Sequence, residues 1–83
     1  MTPWYVYILE CADGTLYTGI TTDLKRREGM HNKGTAARYT AQRTPVMVRY
    51  VETTQNRSQA SKREYAIKHL SLTKKLALIQ QNE

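Results

Sequence analysis

Two runs of aromatic and β-branched residues, Trp4 to Cys11 and Leu16 to Ile20, stand on either side of an Asp13-Gly14 dipeptide. Residues of these types fit a pleated, half-buried strand, and Asp-Gly between two such runs fits a tight reversal, so the chain opens with a β-hairpin. The register of that hairpin decides which side chains share a face, because the side-chain period of a strand is two. A three-residue loop, Ala12-Asp13-Gly14 with Gly14 in the left-handed conformation, pairs Cys11 with Thr15 and turns Tyr5, Tyr7, Tyr17 and Gly19 to one face. A two-residue loop would send Tyr7 and Tyr17 to opposite faces. The three-residue loop is the reading adopted.

A helix follows, capped by Thr22 or Asp23 and running through Leu24 to His31 towards a stop near Gly34. Its spacing sets Leu24, Arg27 and His31 on one face. Thr35 to Thr40 reads as a short helix or irregular turn, and Pro45 precedes a third strand, Val46 to Glu52, in which Val46, Val48 and Tyr50 alternate. Asn56 or Ser58 can cap a helix reaching about Leu70, and Ser71 or Thr73 a last one carrying Leu72, Leu76 and Ile79. The pattern predicts an α/β fold, a small three-stranded antiparallel sheet flanked by helices in the order β-β-α-β-α-α, with residues 1–83 forming one domain. Ala60, Glu64 and Ile67 share a face at i, i+4, i+7 spacing, which turns a carboxylate inward. Burying it unpaired is costly, so Glu64 must meet either an arginine or a functional partner.

With 83 residues there is room for one small core, and a chain of this size buries only about 60–65% of its unfolded surface. A lone cysteine, Cys11, excludes an internal disulfide and any cysteine-built metal cage. No signal-peptide pattern or membrane-length apolar run is present, so a cytoplasmic protein without membrane contact is expected. The formal net charge of +6 is unevenly placed. Acids alone, Glu10, Asp13 and Asp23, occupy residues 1–24, whereas Lys25, Arg26, Arg27, Lys33, Arg38, Arg43 and Arg49 face only Glu28 in the stretch from 25 to 49. Such a concentration suits a polyphosphate partner, although a solvated basic face would read the same way.

The pieces then meet a known pattern. Tyr5-Val6-Tyr7-Ile8-Leu9 resembles the GIY segment of GIY-YIG nucleases, and Leu16-Tyr17-Thr18-Gly19-Ile20-Thr21 resembles their YIG segment. Asp23 to Asn32 is similar to the family helix that carries an active-site arginine, here Arg27, with His31 one turn on. Arg63-Glu64-Tyr65-Ala66-Ile67-Lys68 is similar to the helix that supplies a metal-binding glutamate, here Glu64. The chain departs from the motif names in having Tyr5 in place of Gly and Thr18 in place of Ile. The small, stand-alone YhbQ-like branch of the superfamily is the nearest in pattern.

This resemblance implies an endonuclease that hydrolyses DNA phosphodiester bonds with Mg²⁺ or Mn²⁺, in DNA repair or processing, with structure-guided or relaxed specificity. It implies Tyr17 as general base, Tyr7 as its orienting neighbour, Arg27 as the fork that holds the scissile phosphate, and Glu64 as the metal ligand. His31 would contact phosphate or tune Tyr17. Lys25, Arg26, Lys33, Arg38 and Arg43 would position the nucleic-acid backbone. DNA is the expected partner and no small-molecule cofactor is expected. Oligomeric state is left open. Two other classes fit the same charge pattern: a non-catalytic nucleic-acid-binding subunit of a larger assembly, and a module for an acidic protein partner.

Overall fold

The computed structural model describes residues 2–81. In chain order the elements are β1 (Trp4–Glu10), β2 (Leu16–Thr21), α1 (Leu24–Asn32), α2 (Arg38–Ala41), β3 (Met47–Thr54), α3 (Arg57–Lys68) and α4 (Leu72–Gln81). The three strands form one antiparallel sheet in the order β2-β1-β3, so the first strand is central. Tyr7 lies opposite Gly19 and Leu9 opposite Tyr17, as the three-residue loop requires. Gly14 has φ +84, and its N–H donates to the Cys11 carbonyl at 2.9 Å while the Cys11 N–H donates to Thr15 O at 2.8 Å.

Alternation along β1 divides the core between the two faces of the sheet. Val6 and Ile8 meet Ala60 and Ile67 of α3 and Ile79 of α4 on one side. On the other, Tyr7, Leu9 and Cys11 pack with Val46, Tyr17, Val48 and Leu24 of α1. Asp23 caps α1, accepting the Arg26 N–H at 3.1 Å, and Asn56 caps α3, accepting the Gln59 N–H at 2.9 Å. The Ser71 hydroxyl accepts the Lys74 N–H at 3.2 Å at the start of α4. Only the C-terminal half of α4 docks: Ile79 is buried and Leu78 packs beside it, whereas Leu72 and Leu76 are exposed.

Strand β3 departs from simple alternation. Ile8 is opposite Tyr50 but Leu9 is opposite Val48, so Arg49 is the extra residue of a β-bulge. Val46 and Val48 therefore face α1 while Tyr50 turns to the α3 side, where regular alternation would have kept all three together. Side chains from α1 stabilise the displaced segment. Glu28 Oε2 accepts the Val48 N–H at 2.9 Å, and Asn32 brackets Val46 by accepting its N–H at 2.7 Å and donating to its carbonyl at 3.1 Å. The strand also runs two residues further than the sequence pattern suggests, to Thr54. Past the bulge, the Tyr50 hydroxyl donates to Glu52, and Arg63 of α3 donates to the same carboxylate through Nε at 2.8 Å and Nη2 at 2.8 Å. Among the described residues no helix is long and apolar enough to cross a membrane.

Candidate active site

The order β2-β1-β3 leaves β2 at an edge, and helices cover both faces of the sheet beside it. Side chains from opposite faces can therefore meet around that rim. A polar recess of about 200 Å³ lies there, lined by Tyr7, Tyr17, Gly19 and Ile20 of the hairpin, Arg27 and His31 of α1, Ala36, and Glu64 of α3. All five residues that the sequence nominates for chemistry thus come to one place. Glu64 is not enclosed among the apolar residues of its helix face; it reaches the rim with its side chain 23% exposed and pairs with Lys68 Nζ at 3.4 Å. The arginine beside it on the helix, Arg63, is committed to Glu52, so the ion pair at Glu64 is made by a lysine.

Gly19 is needed where it stands. A Cβ there would collide with the Tyr7 hydroxyl and ring, so the absence of a side chain on β2 makes room for Tyr7 on β1. Tyr7 is 3% exposed, and its hydroxyl is 2.8 Å from His31 Nε2. His31 is 1% exposed, with its other ring nitrogen, Nδ1, 2.7 Å from Thr40 Oγ1. The Thr40 hydroxyl donates to the Ala37 carbonyl at 3.2 Å, which leaves its oxygen to accept from Nδ1–H. This network assigns the Nδ1–H tautomer, and Nε2 then accepts the Tyr7 proton. Burial, and after it the nearby Arg27 charge, holds the imidazole below its ordinary range, which favours the neutral ring. Burial, reinforced by Tyr17, pushes the Tyr7 phenol far above its ordinary value against the pull of Arg27. Tyr7 is kept as a phenol whose proton points away from the recess.

Tyr17 sits differently. It is half-buried, its ring meets the His31 edge at a centroid distance of 5.2 Å, and it lies beside Tyr39 at 6.1 Å with 25° between planes. The Lys68 ammonium is 6.0 Å from the Tyr17 ring centroid.

The proposed backbone-positioning cations are more dispersed. Arg26 lines a second recess that shares Arg27 with the first, whereas Lys25, Lys33 and Arg38 are exposed and line neither. Arg43 is occupied locally: it pairs with Asp13 at 3.0 Å, donates to the Tyr39 carbonyl at 2.9 Å and lies 3.9 Å over the Tyr39 ring. Two residues at the site escaped the sequence reading. Thr40 gave no signal, since a threonine closing a short turn has nothing to mark it until a buried histidine needs an acceptor. Lys68 could have been found, because a lysine four residues after a glutamate on a helix is a readable pair.

Among the described residues no three His, Cys, Asp or Glu side chains converge as a metal cage. A single, partly exposed carboxylate in a polar, open recess fits a hard divalent cation that retains water and shares a substrate phosphate; it does not fit a structural zinc.

The comparisons with known proteins define the class. The chain belongs to the GIY-YIG family, a nuclease-type family whose catalytic-domain model matches residues 3–77. Within it the relatives are UPF0213 proteins: one from Desulfotalea psychrophila is 59% identical over 81 residues, covering 96% of this chain and 74% of that protein. Another, from Halobacterium salinarum, is 53% identical over 74 residues, covering 89% and 96%. The solution structure of a UPF0213 protein from Bacillus halodurans superposes with a TM-score of 0.61 at 43% identity over 95% of this chain and 84% of that one. A protein from E. faecalis does so with a TM-score of 0.65 at 37% identity, over 98% and 86%.

Proposed function

We propose that this protein is a divalent-metal-dependent endonuclease that hydrolyses DNA phosphodiester bonds, with structure-guided or relaxed specificity, in DNA repair or processing. One observation carries the reading: Tyr17, Arg27 and Glu64, from three different elements, line one recess together with a buried Tyr7–His31 pair.

Each group then has a task. Arg27 holds the scissile phosphate with its planar fork and offsets the charge that develops in the transition state, a geometry that a lysine ammonium cannot reproduce. Of the two tyrosines, Tyr7 is bound as donor to His31 and resists ionisation, which leaves Tyr17 as the general base that takes a proton from the attacking water. The Tyr7 oxygen still accepts, and so orients that water or the Tyr17 hydroxyl. Glu64 would hold Mg²⁺ or Mn²⁺, which supplies stabilisation of the departing 3′ oxygen when bound.

The test is cleavage of supercoiled plasmid, branched DNA and single-stranded DNA with and without Mg²⁺, for wild type and for folded Arg27→Ala, Arg27→Lys, Tyr17→Phe and Glu64→Gln proteins. Metal-dependent cutting by wild type and a loss of about 10²-fold or more in each variant, Arg27→Lys included, is expected. Binding without cleavage by every protein would instead identify a non-catalytic nucleic-acid module.

A further inference from the structure

The rim of β2 carries a second opening one strand step from the first. A recess of about 220 Å³ is lined by Leu16, Tyr17 and Thr18 of β2, by Tyr39, and by Lys68 and Lys75. Tyr17 forms part of the wall of both recesses, so they adjoin at one ring. Lys68 comes from the end of α3 and Lys75 from the first half of α4, yet both converge there, and no carboxylate is among the lining residues. Along the strand, the shift from Gly19 to Tyr17 is about 7 Å at the ordinary rise per residue, within the reach of one nucleotide.

We infer that Lys68 and Lys75 form a clamp for the backbone phosphate adjacent to the scissile one, so that the nucleic-acid strand runs along the exposed rim of β2. The inference rests on the nuclease reading and names a subsite within it. The strand's route is set by two lysines outside the basic run from Lys25 to Arg49, of which Arg43 is already paired with Asp13. Lys68 is shared rather than reserved: its ammonium lies 3.4 Å from Glu64, and with three donors it would also reach a phosphate seated in the recess. Lys75 is half-buried in the wall, whereas its neighbour Lys74 is exposed and lines no part of the recess. Comparing the two separates a placed contact from a mere loss of charge.

Fluorescence anisotropy of a labelled single-stranded oligonucleotide, in EDTA to prevent cleavage and across a salt titration, would be measured for wild type, Lys75→Ala, Lys75→Arg and Lys74→Ala. The expected result is a severalfold weaker Kd for Lys75→Ala and a slope of log K against log salt reduced by about one, with Lys74→Ala close to wild type and Lys75→Arg retaining the slope. Salt-dependent binding by wild type with equal effects of Lys74→Ala and Lys75→Ala would overturn the clamp and leave the nuclease reading in place. Absence of salt-dependent binding by wild type would likewise overturn the clamp, while the nuclease reading stands or falls on the Mg²⁺-dependent cleavage assay.

Discussion

Three buried side chains decide how the candidate centre is wired. Because Thr40 gives its proton to Ala37 and accepts from His31 Nδ1, the imidazole presents a lone pair to Tyr7, and the Tyr7 oxygen is left to accept on its recess side. Thr40→Val keeps the shape but leaves the Nδ1–H of a fully enclosed ring unpaired, at a cost of about 1–3 kcal/mol, whereas Thr40→Ser keeps the acceptor. The valine variant is expected to unfold at lower temperature, to shift the His31 ring-nitrogen NMR signals towards the other tautomer, and to lose more activity than the serine variant. Unchanged nitrogen shifts in Thr40→Val would show that Thr40 does not set the tautomer. None of this was legible from residue types. Tyr7, Tyr17 and Gly19 could be placed on one face because strand periodicity is strict, but a partnership between His31 and a threonine nine positions on depends on how a short irregular segment folds back.

Among the elements, the hairpin and α1 were readable because local chemistry determines them: Asp-Gly fixes the turn, and Asp23 fixes the helix start. Strand β3 was readable as a strand but not in its facing. A bulge is a product of pairing between distant segments, and the side chains that support it, Glu28 and Asn32, belong to α1. Asn32 supplies Val46 with both a donor and an acceptor, in the manner of a neighbouring strand. Asn32→Ala should therefore cost about 1–3 kcal/mol and open the start of β3 locally. Hydrogen exchange should accelerate at the Val46 and Val48 amides and remain slow at Glu52, whose N–H faces Val6 of the central strand. Equal acceleration along the whole strand would contradict a local role.

At the scale of the molecule, both apolar clusters are built on the same three strands, so neither face can persist without the other and unfolding should be cooperative. Its response to acid should nevertheless have two stages. His31 is held below its ordinary value of 6.5, so beneath that pH the unfolded chain binds a proton that the fold excludes; stability is full above about 6.5 and declines as pH falls from there. Glu52 is held below its ordinary value of 4.5, chiefly by Arg63, so its contribution is present above 4.5 and is lost as pH falls through the lower folded value. Thermal melts from pH 8 to pH 3 should show Tm falling first below about 6.5 and again below about 4.5, and His31→Gln should remove the first stage. A Tm flat from pH 8 down to 4.5 in wild type would contradict a neutral, enclosed His31. Finally, the two tyrosines stand on strands of unequal restraint. Tyr7 rides on β1, flanked on both sides, while Tyr17 rides on β2, whose outer edge pairs with no strand among the described residues. Sheets breathe from their margins inward. The candidate centre is consequently half fixed and half pliable: the Tyr7–His31–Thr40 hydrogen bonds keep time with global unfolding, while Tyr17, the proposed base, can yield to an incoming polymer and return without disturbing the core.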